Sequence, residues 1–225
     1  MNSSKALKLN LAGNISIMIP IRNVLLTLIS LFFAYTISAQ KKFKVVYNEE
    51  NTLVVSYRLV DEKGIIIKQL DTSKYYICFT QDTYGYFAVF GMKNFKGWAA
   101  IDVNEKVLFN VYNASNGEPN PDILVEGKVR IVNSDNLIGF ANSKGQVVIK
   151  PQFESVSTFY KGKAIIGKSC KEVPWDEHEK DSGCNHYSII CSKHGYINSK
   201  GVVIKFGNFT FEKIMKDIGW KHPED

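Results

Sequence analysis

Gly139-Phe140-Ala141-Asn142-Ser143-Lys144-Gly145-Gln146-Val147-Val148-Ile149-Lys150-Pro151-Gln152-Phe153-Glu154 is the stretch on which the fold turns. It returns as Gly195-Tyr196-Ile197-Asn198-Ser199-Lys200-Gly201-Val202-Val203-Ile204-Lys205, with Gly, Asn, Ser, Lys, Gly, Val, Ile and Lys in the same order. The physics of the unit is a hairpin. An apolar strand enters with Gly-aromatic, and Asn-Ser-Lys-Gly turns the chain. A polar turn ending in Gly fits a type I turn followed by a left-handed residue, which Gly adopts without a Cβ penalty. Val-Val-Ile leaves as the second strand, and Pro151 is expected to end the pairing because it has no N–H to donate.

Working outward, Gly162-Lys163-Ala164-Ile165-Ile166 resembles Gly127-Lys128-Val129-Arg130-Ile131 and Gly85-Tyr86-Phe87-Ala88-Val89. Each precedes a Gly-aromatic, and the step from Gly162 to Gly195 carries an insert at 169–187. Self-similarity at such a period marks a repeat array, whose units bury their apolar faces only against neighbours.

The unit of Gly-aromatic, polar turn ending in Gly, Val-Ile, Pro-x-aromatic-acid, Phe, Gly and Ala-x-Val resembles the WG-repeat family, a family of bacterial repeats. Gly139 to Gly167 follows it throughout, with Pro151, Phe153, Glu154, Phe159, Gly162 and Ala164 in place. Gly97-Trp98 supplies the name dipeptide, and the resemblance runs from about Tyr84 to Lys205. It departs after Gly97-Trp98, where the turn comes two residues late and Glu105 occupies the turn-glycine position. Before Tyr84, Val60-Asp61-Glu62-Lys63-Gly64-Ile65-Ile66 hints at a degraded first repeat. The resemblance implies a fold far more than a function, with binding or scaffolding as the functional expectation.

The expected fold is therefore all-β: an array of antiparallel β-hairpin repeats, solenoid-like or curved, with hairpins turning at Gly64, Gly145 and Gly201. The expected organisation is a signal peptide at 1–39, a repeat domain at 43–205 and a C-terminal cap and tail at 206–225. The repeat domain divides into 43–83, 84–126, 127–161 and 162–205. In the last segment, Phe211, Ile214, Met215 and Ile218 recur at i, i+3, i+4 and i+7, one apolar face of a short helix. Thr210 and Gly219 supply its caps. This helix is expected to cover the open edge of the last repeat, since an exposed strand edge invites aggregation.

Composition agrees with a strand-rich fold. Hydrophobic residues make up 45% of the 225 and aromatic residues 12%, and flat or branched side chains suit a pleated surface. The net charge is +6, but Lys5, Lys8 and Arg22 all precede Ala39. Removing these three of the 28 basic residues leaves 25 against 22 acidic ones. No basic face of the kind a nucleic-acid reader shows is visible.

Val24 to Ile37 is an uncharged apolar run preceded by Arg22 and followed by Ser38-Ala39. A basic start, a short apolar stretch and a small-residue exit describe a secretory signal peptide. The run is shorter than the roughly 20 residues of a membrane span, so no span is expected once it is removed. The expected location is the periplasm, the cell surface or the medium, with Gln40 as the mature N-terminus.

The insert holds what chemical interest the sequence has. Cys170, Cys184 and Cys191 contain no Cys-x-x-Cys spacing, and exported proteins oxidise cysteines more often than they metallate them. A Cys170–Cys184 disulfide is expected, because Cys184 sits in a Ser-Gly-Cys-Asn turn able to fold back; a cross-strand Cys170–Cys191 link is the alternative. Asp176, Glu177, Glu179 and Asp181 lack an EF-hand pattern and read as a solvated acidic loop. Trp175, Asp176, Glu177 and His178 are the candidate partner contacts. Trp98, Phe140 and Tyr196 share one repeat position and read as a core ladder before a row of ligand-stacking rings. No nucleophile elbow, zinc-protease helix or phosphate loop is present.

No cofactor, metal or catalytic residue is expected. Two functions follow: a binding or scaffold module whose partner is a protein or cell-envelope component, or a cell-envelope hydrolase using carboxylates on the repeat surface. Two carboxylates facing each other in a cleft would favour the second; solvated, scattered acids favour the first.

Overall fold

A computed structural model describes residues 40–51, 54–115, 118–175 and 186–222. The expected signal peptide, Cys184 and the contact candidates Asp176, Glu177 and His178 lie outside the described residues. Fourteen strands and one helix, Phe211–Ile218, are present among them. The fold is the all-β arrangement expected, with every strand pairing antiparallel and no closed barrel.

The strands form three meanders in chain order. β1 (Lys44–Asn51), β2 (Val54–Val60) and β3 (Ile66–Gln69) make a three-stranded sheet. The seven-stranded sheet runs from β4 (Tyr75–Cys78) through β5 (Ala88–Met92), β6 (Trp98–Ile101), β7 (Val107–Val111) and β8 (Lys128–Val132) to β9 (Ile138–Asn142) and β10 (Val147–Phe153). β11 (Ser155–Val156), β12 (Lys163–Pro174), β13 (Tyr187–Asn198) and β14 (Val203–Gly207) make the third.

One turn recurs five times and explains the meander. At Asp61, Asp102, Asn133, Asn142 and Asn198 a side-chain oxygen accepts the amides two and four residues on, at 2.8 to 3.1 Å. The residue three positions on donates to the backbone carbonyl of the same Asp or Asn. These fourth residues are Gly64, Glu105, Asn136, Gly145 and Gly201, all with φ between 59° and 80°. The short Asx side chain thus replaces missing ladder partners, and the left-handed residue reverses the strand. Glu105 adopts this conformation without being glycine, held by hydrogen bonds from Tyr75 Oη at 2.9 Å and an ion pair with Lys68.

A second, tighter turn alternates with it. Glu126-Gly127 and Lys161-Gly162 are two-residue reversals with positive φ at both positions. Their flanking residues exchange backbone hydrogen bonds, Val125 with Lys128 and Tyr160 with Lys163. The Glu126 carboxylate also accepts both amides of the following Lys161-Gly162 turn, joining one repeat to the next.

Gly139 and Gly195 act by size. A Cβ on Gly139 would lie 2.4 Å from the Ile149 carbonyl oxygen and 2.5 Å from the Pro151 nitrogen. A Cβ on Gly195 would lie 2.0 Å from the Lys205 oxygen. The glycine before each aromatic is therefore where the returning strand crosses in contact. Pro151 does not end pairing as expected. β10 is an edge strand, and its register slips between Ile149↔Phe140 and Phe153↔Ile138, so the missing N–H falls in the slip.

Successive small cores line the array: Phe43, Leu59, Phe90 and Ile101; then Val111, Val129 and Ile131; then Phe140, Phe159, Ile166 and Ile197. Phe140 is buried against Phe159 at 4.7 Å, as the core-ladder reading expects. Trp98 is only half-buried, packing on Phe79 and donating Nε1–H to Asn113 Oδ1 at 2.9 Å.

The helix forms where its apolar spacing places it. Thr210 accepts from the Lys213 amide, and Gly219 closes the end at φ 63°. Its position differs from expectation. It packs against β12 and β13 with Ile214 fully buried, and an ion pair of 2.9 Å joins Asp217 to Lys205 of β14. Val203, Ile204 and Phe206 of the β14 edge stay exposed, because the apolar face of the helix is consumed by the sheet behind them.

Candidate ligand-binding cleft

The described parts of the insert, 169–175 and 186–187, extend the hairpin. β12 and β13 run twelve residues each and stay in register from Lys163↔Asn198 to Pro174↔Tyr187, interrupted only at Ser169. Ser169 has φ 54°, a left-handed kink that re-aims the outer half of the ribbon.

That register corrects the expected disulfide. Cys170 faces Cys191, and the two are bonded; Cys170 therefore has no bond left for Cys184. Continuation of the strand past Lys168 places the thiols side by side, whereas the expectation had the chain turning back earlier. Gly167 makes room for the bridge, since a Cβ there would lie 2.5 Å from Cys191 Sγ. Cys78 is free and half-buried, and burial pushes its thiol up to about 11, consistent with its reading as a small apolar residue.

Alternation sorts the outer ribbon into two faces. On one lie Lys171, Val173, Trp175, His186, Ser188 and Ile190. Trp175 is 48% exposed, stacks on His186 at 5.3 Å and donates Nε1–H to Ser188 Oγ at 2.8 Å. On the opposite face lie the disulfide, Glu172, Ile189 and Tyr187. This second face looks into a cleft of about 430 Å³ whose far wall is the β7 end and the Asn133–Leu137 turn.

The polar lining of the cleft is Tyr112, Asn113, Asp135, Asn136, Glu154, Lys171, Glu172 and Tyr187. Tyr112 is fixed from behind. The Arg130 guanidinium lies 4.7 Å from its ring centre, donates to Asp122 Oδ1 at 2.7 Å and reaches the Val156 carbonyl at 3.2 Å. Asp122 is buried and its second oxygen accepts the Arg130 amide, while among the described residues the buried Arg130 Nε finds no acceptor. Burial pushes the Tyr112 hydroxyl pKa up, with Arg130 opposing and Tyr187 and Glu172 adding to the rise. Burial and then Glu172 raise Tyr187 likewise. Both phenols therefore stay protonated donors near neutrality. Glu154 Oε2 accepts the Cys170 amide at 2.9 Å. Asp135, Glu154 and Glu172 are all solvent-exposed.

Of the residues singled out from sequence, Cys170 borders this cleft while Trp175 points away from it. The three described histidines do not converge: His186 is on the outer face, His194 is buried with Nδ1 3.0 Å from the Phe209 carbonyl, and His222 lies by Trp220. Among the described residues no three His, Cys, Asp or Glu side chains gather as metal ligands. Tyr112, Asn113, Asp135 and Tyr187 were not singled out by sequence. The usable signal was the two-residue period from Cys170 to Glu172, which places that acid on the disulfide's face.

No helix among the described residues is long and apolar enough to cross a membrane. Comparison with curated proteins finds no match. The repeat that builds the floor of the cleft, Ile138 through Lys168 with its Asx turn, its close-packed Gly139 and its Lys161-Gly162 reversal, matches the family model of the WG containing repeat over residues 138–168.

Proposed function

We propose that the chain is an exported, non-catalytic binding or scaffold module of the cell envelope, with the cleft beside the disulfide-tied ribbon as its main contact surface. The observation that carries this reading is the cleft itself: two tyrosines and three acidic residues line about 430 Å³ of open space. The cross-strand disulfide supports work in an oxidising compartment. Exposure of Asp135, Glu154 and Glu172 supports binding over hydrolysis, because a carboxyl acting as general acid is kept protonated by burial or a paired charge. Trp175, on the outer face of the ribbon, is a second proposed contact, together with Asp176, Glu177 and His178, which lie outside the described residues.

The test is photo-crosslinking in the native cell, with benzoylphenylalanine at position 187 in the cleft, at 175 on the outer face and at 63 as an exposed turn control. An adduct from 187 and none from 63 is the expected result. An adduct from 175 alone removes the cleft from the proposal, and none from either position overturns the binding reading. Mass spectrometry of the same material should find Gln40 at the N-terminus; an intact leader would overturn release by cleavage.

A further inference from the structure

The backbone along the cleft carries information beyond its side chains. β11 pairs with β12 only at Ser155↔Gly167 and Val156↔Ile166. From Lys168 to Pro174 the same edge of β12 has no strand beside it among the described residues. Two hydrogen bonds fix which backbone groups point there. The Trp175 amide donates to the His186 carbonyl, so Trp175 and, by alternation, Val173 and Lys171 bond to β13. The Cys170 amide donates to Glu154, away from β13. Glu172 therefore turns its N–H and C=O outward, together with the carbonyls of Cys170 and Pro174. Among the described residues nothing bonds the Glu172 amide.

An edge of this kind is a template for another strand. Cys170 to Pro174 spans about 16 Å, room for four or five extended residues. The walls set the chemistry of what fits. Three carboxylates, Asp135, Glu154 and Glu172, border the cleft against one lysine, Lys171, so acid predominates. Tyr112 and Tyr187 line the same space. Resting on the binding reading above, we infer that the cleft takes an extended segment of a partner protein, bearing lysine or arginine, which adds to the outer edge of β12 as a strand in line with β11. Main-chain bonds to Glu172 supply affinity, and the carboxylates and tyrosine rings select the cationic side chains.

The experiment is fluorescence anisotropy of the oxidised protein with a labelled, acetylated (Thr-Lys)5 amide. Its fully N-methylated analogue, a (Thr-Glu)5 peptide and a chitosan oligosaccharide serve as competitors. Binding that weakens with salt is expected, with at least a tenfold loss for the N-methylated and acidic peptides. Glu172→Lys and Glu172→Pro should each lose tenfold or more. The proline variant removes the outward amide and no bond to β13, and its thermal midpoint reports folding; Glu172→Lys tests the site if that variant unfolds. Equal binding of the N-methylated peptide, preference for the sugar, no peptide binding, or a self-associated state that Glu172→Pro dissolves would each overturn the inference. A crosslink from position 187 that persists alongside such a failure leaves the binding reading standing.

Discussion

Replacing Gly195 by alanine should be the most damaging small change in the array. Gly195 has an ordinary negative φ, so alanine meets no backbone penalty there. The cost is steric. The added methyl would lie 2.0 Å from the Lys205 oxygen, 2.7 Å from Phe206 Cα and 2.8 Å from the Lys205 carbonyl carbon. Favourable contact begins near 3.5 Å, so β14 must retreat by about 1 to 1.5 Å. That movement strains the pairs Gly195↔Phe206 and Tyr196↔Lys205. Losing two ladder bonds costs about 1 kcal/mol each, and overpacking adds about 1 to 3 kcal/mol. The expected destabilisation is roughly 3 to 5 kcal/mol. Gly127→Ala is the comparison. Its Cβ meets nothing within 4 Å, although φ is 70°, so only the left-handed strain of about 1 to 2 kcal/mol applies. Urea unfolding followed by tryptophan fluorescence measures both variants. A Gly195→Ala protein within 0.5 kcal/mol of wild type, or no less stable than Gly127→Ala, would refute the close-approach account.

Reduction of the Cys170–Cys191 bridge should lower stability by about 3 kcal/mol in the loop-entropy account, seen as a drop in thermal midpoint with reductant. Non-reducing peptide mapping should yield that pair, and a Cys170–Cys184 peptide would refute the register. Glu105 gives a pH dependence. Burial works to raise its pKa, but hydrogen bonds from Lys68 and Tyr75 outweigh it and hold the carboxyl below its ordinary 4.5. The stability it contributes is present above about pH 4.5 and is lost as pH falls through the depressed value. Urea midpoints between pH 3 and 7 should fall less steeply at the acid end for Glu105→Gln than for wild type; parallel curves would sink the argument.

The fold was legible where its causes are local. An Asx residue with a glycine three positions later writes the turn into four letters, as at Asp61–Gly64, Asn142–Gly145 and Asn198–Gly201. The same turn at Asn133–Asn136 lacks its glycine and passed unread, although asparagine tolerates the left-handed region. The helix was legible because its period and both caps are contiguous. The cleft was not, since it joins Tyr112 to Tyr187 across elements whose approach depends on the Ser169 kink and on strand register. The cysteine pairing failed for a related reason. Chain flexibility favoured Cys184, but ladder continuity decided for Cys191.

The reach of Glu126 into the Lys161-Gly162 turn has a consequence for how the array comes apart. That carboxylate couples neighbouring turns, beside the Phe140–Phe159 contact that also joins them, and makes no bond within either hairpin's ladder. Energy in such a chain is a sum of units and nearest-neighbour couplings. Glu126 sits in the coupling, so it governs whether fraying at one end stays there or runs on like an opening zipper. Slow amide exchange should then divide at Glu126→Ala, with residues on either side exchanging at rates of their own.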